Sequence, residues 1–433
     1  MMISGHISKD TVDYSKLCDS TYFYSKNGDR VFLLSENGTS VLLDKEIFKT
    51  EYNQMEPYVI QYLIKNGFLE DDDRFIDNDF PRNFVIQLTN RCNLNCRYCF
   101  TEKGNSDITL KTLNDILDYI FHYGEKYLDN RYTIILWGGE PTLLFDLIIY
   151  TRQFYDAKGI KPAIQIQSNG TLLDDKKIHE LINNDISIGL SIDGPEPIHN
   201  SQRLSNDCNS FDATFSCIRK IKNIRGTISV ITHESCMDDS TIPFLYSLQV
   251  PRVKIHFANP NNNEWISLKD IPVFNEKRIS YLIANADSSP LDDDIYVRLR
   301  NLLTGRAPSL CYSRGCKGGC GVITFSTDGS IYPCSVIGID KYMMGTIYDS
   351  SLDKIIKKYM NSNRFKAISS HCDKCLWFPF CKGGCNVSRI AYGSEYDPLQ
   401  CEINRDLYPR LINIILERPE IIKKLSKDTI IIQ

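Results

Sequence analysis

The sequence predicts an α/β fold. A parallel sheet forms an incomplete barrel of six βα units, with a small α+β unit before it and a cysteine-rich segment after it. Three observations predict this. From Phe84 onward, short β-rich apolar runs alternate with amphipathic helical stretches, the pattern of parallel strands joined by crossover helices. Thiols, a Gly-Gly turn and small polar residues follow the ends of successive strands, where α/β barrels place their chemistry. Nine of the 16 cysteines fall between Cys311 and Cys401.

Residues 1–80 read as a small separate unit. Val31–Leu34 and Val41–Leu43 are strands joined through the turn signal Glu36-Asn37-Gly38. Pro57–Asn66 has helical spacing (Val59, Tyr62, Leu63) and stops at Gly67, and Asp71-Asp72-Asp73 is a solvated linker. The barrel, 81–290, takes its strands from Phe84–Leu88, Thr133–Trp137, Ala163–Ser168, Ser187–Ile192, Gly226–Ile231 and Val253–Phe257. After the first strand comes a helix with Leu110, Leu113, Ile116, Leu117, Ile120 and Phe121 on one face. Asp174–Asn184 and Phe211–Asn223 are later crossover helices. The polar stretch Asp287–Asp294 marks a boundary, 300–405 is the cysteine-rich domain, and Leu407–Leu425 is a closing helix within 406–433.

Composition narrows the function. A chain of 433 residues exceeds one compact core and suggests two or three domains. A formal charge of −4 gives no electrostatic reason to expect nucleic acid as a partner. Met1–Asp10 lacks the apolar core of a signal peptide, and no apolar run approaches the ~18 residues that span a membrane. A cytoplasmic location is expected, where 16 cysteines point to metal ligation rather than disulfides. The scattered Cys18, Cys208, Cys217 and Cys236 read as small buried apolar residues.

The first cysteine cluster is the triplet Cys92-x3-Cys96-x2-Cys99, on the loop leaving the Phe84–Leu88 strand. Three thiolates cannot close a four-ligand site. A cube held by three would leave one iron open to a small molecule, as a catalytic zinc keeps an open position. A zinc knuckle or a redox thiol pair is the alternative on the triplet alone. With Tyr98 before the last cysteine, the triplet resembles the signature of radical S-adenosylmethionine (SAM) enzymes. That resemblance implies a partial (β/α)6 barrel of the TIM type and a 4Fe-4S cluster on Cys92, Cys96 and Cys99. It also implies SAM on the open iron and a 5′-deoxyadenosyl radical that abstracts hydrogen.

The same resemblance places further residues around the cofactor. Trp137-Gly138-Gly139-Glu140-Pro141 matches the motif that meets the methionyl amino group, its two glycines allowing close approach of backbone to ligand. Ser168-Asn169 and Ser191-Ile192-Asp193 match positions near the ribose and methionyl groups, and Arg203 matches an arginine that meets the cofactor carboxylate. Tyr98, Gly138, Gly139, Glu140, Ser168, Asn169, Ser191, Asp193 and Arg203 are thus the expected cofactor-binding set. Asn200 departs from the pattern, which usually carries an acidic residue after the histidine.

Toward the C-terminus, Cys316-x3-Cys320, Tyr332-Pro333-Cys334, Cys372-x2-Cys375-x5-Cys381-x3-Cys385 and Cys401 resemble the SPASM extension of peptide-modifying radical SAM enzymes. That extension holds two auxiliary 4Fe-4S clusters. The family's interleaving assigns Cys316, Cys320, Cys334 and Cys385 to one, and Cys372, Cys375, Cys381 and Cys401 to the other, with Cys311 either spare or in place of Cys316 or Cys320. Zinc ribbons are the alternative for the Cys372–Cys385 stretch. The resemblance implies an enzyme that oxidatively crosslinks side chains of a ribosomally made precursor peptide, fed by a flavodoxin- or ferredoxin-type electron donor. The first rival is an anaerobic sulfatase maturase, which makes formylglycine; that family carries an aspartate where this chain has Ser335. The second is an iron–sulfur electron carrier or sensor without SAM chemistry. No residue stands out as the catalytic base. The N-terminal unit reads either as a leader-peptide binder, Val31–Leu34 lending a strand edge, or as a cap on the barrel.

Overall fold

Phe84, Ile86 and Leu88 are fully buried on the first barrel strand, Asn83–Thr89, and fix which face of it meets the helices. The computed structural model describes residues 2–7, 20–25, 30–35, 40–44, 81–101, 103–221, 224–260, 266–304, 315–336, 340–362, 369–373 and 375–427. The expected helix 57–66, the linker 71–73 and Cys311 lie outside these. The chain divides into two compact units, 78–270 with 317–367, and 1–77 with 271–316 and 368–433.

In the first unit six parallel strands run across one sheet in the order Arg252–Phe257, Gly226–Ile231, Ile186–Ser191, Ala163–Ser168, Thr133–Gly138 and Asn83–Thr89. These are the six strands expected, two with the same bounds and the other four displaced by a single residue at one or both ends. The sheet continues beyond the first barrel strand. Val322–Phe325 pairs with it in parallel, followed by the antiparallel strands Ser330–Tyr332 and Gly345–Thr346. These extra strands are short, so no alternating pattern marks them in the sequence.

The first crossover helix, Leu110–Tyr127, starts where the Thr109 hydroxyl accepts from Thr112 N. Leu113, Ile116, Leu117 and Ile120 are buried as expected, but Leu110 at the first turn is 49% exposed and Phe121 lies at the edge of the buried face. Phe84 packs edge-on against Tyr123 and Tyr132, at 5.9 and 5.7 Å between ring centres. A second helix, Phe145–Ala157, was not foreseen. Its first turns are nearly continuous in apolar residues, which hides the helical period, and it buries Arg152. That guanidinium donates to the carbonyls of Asn184 at 3.0 Å and Pro162 at 3.1 Å.

The second unit contains an antiparallel sheet of Met2–Ile7, Ser20–Ser25, Arg30–Ser35 and Ser40–Asp44, paired in that order. Val31–Leu34 therefore has partners on both sides and offers no free edge. The two strands before it, unforeseen in the sequence, move the edges to Met2–Ile7 and Ser40–Asp44. Phe32 and Leu34 are buried. The closing helix also differs from expectation. It runs Pro398–Glu417, breaks at Arg418, and resumes as Pro419–Leu425. Pro419 disfavours helical backbone at the residue before it yet suits the first turn of a new helix. In the same unit Arg278 pairs two-pronged with Asp292 at 2.6 and 2.5 Å, and Arg298 pairs with Asp294, all four side chains buried.

Candidate functional site

Every residue of the expected cofactor site lies on the face formed by the C-terminal ends of the barrel strands. The loop after the first strand is anchored by Thr89 and Arg91. Thr89 Oγ1 donates to Asp107 Oδ1 at 2.5 Å, and the Arg91 guanidinium clamps both oxygens of Asp107 at 2.9 and 2.6 Å. Gly139 N donates to Thr89 O at 2.8 Å and Glu140 N to Arg91 O at 2.9 Å, so the cysteine loop rests on the end of the second strand. A Cβ on Gly139 would lie 2.1 Å from Arg91 O, and one on Gly138 2.3 Å from Thr89 O. What demands glycine here is the close approach of two stretches of backbone.

Cys92, Cys96 and Cys99 lie on this loop, each half-buried. Asn95-Cys96 pairs antiparallel with Arg203-Leu204, and Arg97 N donates to Gln202 O at 2.9 Å. Burial pushes the Cys96 thiol up to about 11, with the neighbouring Asp193, Cys99 and Cys92 adding and Arg203 opposing. Burial raises Cys92 as well, with Cys99 contributing. Burial thus favours the protonated thiol at Cys92 and Cys96, and thiolate ligation would displace those protons. Among the described residues no group of three or more His, Cys, Asp or Glu side chains converges as ligands of one ion would. A cube needs no such convergence, because each thiolate binds a different iron. The donor set and the half-buried loop fit a three-thiolate cube.

Tyr98, Asp193 and Arg203 form one buried knot. Arg203 meets Asp193 through Nε–Oδ2 at 2.8 Å and Nη2–Oδ1 at 3.1 Å, and the Tyr98 hydroxyl donates to Oδ2 at 2.5 Å. Val230 N donates to Oδ1 at 3.0 Å, which brings in the fifth strand. The guanidinium lies 5.5 Å from the Tyr98 ring centre. Behind the knot sits His199, fully buried, with its Nε2 lacking a hydrogen-bond partner. Its pKa is lowered to about 4, by burial first and then by the adjacent Arg203, with Asp193 opposing.

Glu140 organises a second group. It is 1% exposed and caps the turn Pro141–Leu144. Oε1 accepts from Thr142 N at 3.1 Å, Thr142 Oγ1 at 2.6 Å and Ser168 Oγ at 2.8 Å, while Oε2 accepts from Asn169 N at 2.8 Å. Burial raises its pKa, and these hydrogen bonds oppose the rise. Asn169 reaches the cysteine loop by donating to Asn93 Oδ1 at 2.9 Å. Ser191 stands apart from this group, its hydroxyl accepting from Gln167 Nε2 at 3.0 Å.

Sequence reasoning missed Thr89, Asn93, Asp107, Thr142, Gln202 and His199 as parts of the site. Of these Thr142, His199 and Gln202 carried a signal, the first by following Glu140-Pro141 and the other two by lying in the same short stretch as Arg203. Phe100, stacked on Trp137 with ring centres 6.1 Å apart, was also missed.

Of the C-terminal cysteines, Cys320 and Cys334 fall in the barrel unit, and Cys316, Cys372, Cys375, Cys381, Cys385 and Cys401 in the other. Cys375 N donates to Cys372 O at 3.1 Å, Cys381 ends the short helix Phe378–Cys381, and Cys401 lies on the Pro398–Glu417 helix. Burial pushes the Cys401 thiol up to about 12, with Arg405 opposing and Cys375, Asp397 and Cys372 adding. Cys381 is raised by burial first, then by Cys401, Asp397, Cys375 and Cys372. The four thiols assigned to one auxiliary cluster therefore neighbour one another, a donor set that fits a cube.

The model of the radical SAM superfamily matches residues 86–234. The chain is 26% identical over 371 residues to a cysteine-type anaerobic sulfatase-maturating enzyme of Clostridium perfringens, a match that covers 77% of this chain and 98% of that protein. Together with the six-stranded parallel barrel and its cysteine loop, this makes residues 86–234 a radical SAM superfamily domain. Its fold is similar to that of native anSMEcpe with bound AdoMet and Cp18Cys peptide, with a TM-score of 0.66, 22% identity and coverage of 77% of this chain and 98% of that one. It is also similar to that of Streptococcus suis SuiB bound to precursor peptide SuiA, with a TM-score of 0.56, 17% identity and coverage of 85% and 95%. No helix among the described residues is long and apolar enough to cross a membrane.

Proposed function

We propose that this chain is a radical SAM maturase that oxidises a cysteine or serine side chain of a peptide or protein substrate, as the sulfatase-maturating enzymes do. One observation carries this reading. The match to the Clostridium perfringens enzyme spans 98% of that protein's length, not the barrel alone. Crosslinking of a precursor peptide, the first expectation from the sequence, has less support. What favours it as a second reading is that SuiB covers 85% of this chain against 77% for peptide-bound anSMEcpe.

A cube on Cys92, Cys96 and Cys99, with SAM at its open iron, would supply a reductively generated 5′-deoxyadenosyl radical for hydrogen abstraction. The chain's own residues prepare that site. Asp193 fixes Arg203 and Tyr98 beside Cys96, and Glu140 fixes Ser168 and Asn169. Cys372, Cys375, Cys381 and Cys401 would hold a one-electron acceptor of the kind this oxidation requires. A flavodoxin- or ferredoxin-type protein is the proposed donor.

The test uses anaerobically reconstituted protein with SAM, dithionite and paired synthetic peptides differing only in a Cys, Ser or Ala at one position. The expected result is 5′-deoxyadenosine together with a hydrazide-trappable aldehyde on the Cys or Ser peptide. A crosslinked product without aldehyde would favour the second reading, and no 5′-deoxyadenosine under any condition would defeat both.

A further inference from the structure

Asp397 joins two of the cysteine segments. It caps the Pro398–Glu417 helix by accepting from Gln400 N at 2.9 Å through Oδ1, and Cys401 follows four residues on. Ser388 Oγ donates to the same oxygen at 2.5 Å. Oδ2 accepts from the backbone N of Cys385 at 2.8 Å. Capping the helix would need only the first of these contacts. The other two fasten a separate segment, Cys385 and the Asn386–Tyr392 helix behind it, to the start of the helix that bears Cys401. The side chain is 2% exposed, so neither oxygen can exchange these donors for bulk water. The approach is also tight at the residue before Cys385. Gly384 has φ +80°, and a Cβ there would lie 2.4 Å from Asp397 Cβ.

We infer that Asp397 is a positioning residue for the auxiliary iron–sulfur chemistry: one buried carboxylate sets Cys385 and Cys401 relative to each other and leaves a negative charge beside them. This rests on the proposal that the C-terminal cysteines hold auxiliary clusters. Two consequences follow. Without the carboxylate, Cys385 N and Ser388 Oγ lose their acceptor, the Cys385 segment comes loose, and ligation weakens. With the charge removed but the shape retained, the reduced and more negative form of a nearby cluster is stabilised, so its midpoint potential rises.

The experiment compares Asp397→Asn, Asp397→Ala and wild type after anaerobic reconstitution, by iron and sulfide content and by electron paramagnetic resonance during a redox titration. Wild type must first carry more iron than the ~4 atoms of a single cube. If it does not, the auxiliary-cluster reading fails and Asp397 is not the cause. Given that content, Asp397→Ala is expected to lose about four irons, the count of one cube. The SAM-dependent change in the signal of the first cluster should persist. Asp397→Asn, the variant more certain to fold, is expected to keep more iron and to show an upward shift in an auxiliary midpoint potential. A change in auxiliary content or potential in either variant, with the first cluster intact, sustains the assignment. Full iron and unchanged auxiliary potentials in both variants overturn it.

Discussion

Arg203 stands opposite Cys96 in an antiparallel pairing while its guanidinium closes a two-point ion pair on Asp193, at 2.8 and 3.1 Å. Two contacts on one residue thus tie the cysteine loop to the end of the fourth barrel strand. Val230 N on the same carboxylate extends the tie to the fifth strand. The residues expected to surround SAM are therefore held by one another, and their positions do not await the cofactor.

Breaking that pair should be costly. Asp193 is fully buried and Arg203 nearly so, and removing one partner leaves a buried charge uncompensated. Asp193→Ala should destabilise the protein by about 3–5 kcal/mol in urea denaturation. Asp193→Asn keeps one acceptor oxygen and should cost less. An unchanged midpoint in Asp193→Ala would mean that Arg203 finds water or another acceptor.

Replacing Cys92, Cys96 and Cys99 together by Ala should remove about four irons and abolish 5′-deoxyadenosine formation, since a cube needs its thiolates. Any auxiliary clusters should remain, because their cysteines lie elsewhere in the chain. SAM cleavage by the reconstituted triple variant would show that the site lies elsewhere.

How legible the molecule was in its sequence depended on how local each signal is. The six barrel strands were readable because β-rich runs such as Ile134–Trp137 are short and apolar. Val322–Phe325 was not, because four residues carry too little pattern, and nothing local says that they pair with Asn83–Ile86. The cysteine spacings stood out as candidate cluster ligands, since ligands cluster in sequence. The supports of the site did not show, because Asp107 under Arg91 and Asn93 under Asn169 are single polar residues whose partners only folding reveals. At Gly138 and Gly139 the fold adds a demand for glycine that no local pattern shows. They make room for Thr89 and Arg91 backbone.

Glu140 separates two roles by measurement. Its carboxylate takes hydrogen bonds from Thr142, Ser168 and Asn169, so Glu140→Ala strands several buried donors. Loss of such charge-assisted bonds should cost on the order of 3 kcal/mol in urea denaturation, and Glu140→Gln, which retains one acceptor oxygen, should cost less. If stability were unchanged while SAM affinity alone fell, the carboxylate would be serving the cofactor rather than the third-strand turn.

The last prediction concerns pH. His199 is fully buried, its pKa is lowered from 6.5 to about 4 by burial and by Arg203, and its Nε2 has no acceptor to reward protonation. In the unfolded chain the same imidazole regains its ordinary value. Between about pH 4 and 6.5 the unfolded state therefore binds a proton that the folded state refuses, and stability falls as the solution is acidified through that window. Above it the histidine contributes no pH dependence. The loss accumulated at the acid end is roughly 3 kcal/mol, from the size of the shift. His199→Phe keeps a ring beside Phe211, its edge-on neighbour at 5.8 Å, and has nothing to titrate. Urea midpoints measured across the window should slope steeply in wild type and less in the variant, the two curves diverging toward the acid side. Parallel curves would mean that His199 takes up its proton in the folded protein as readily as in the unfolded chain, and that the acid sensitivity of the fold lies in its carboxylates.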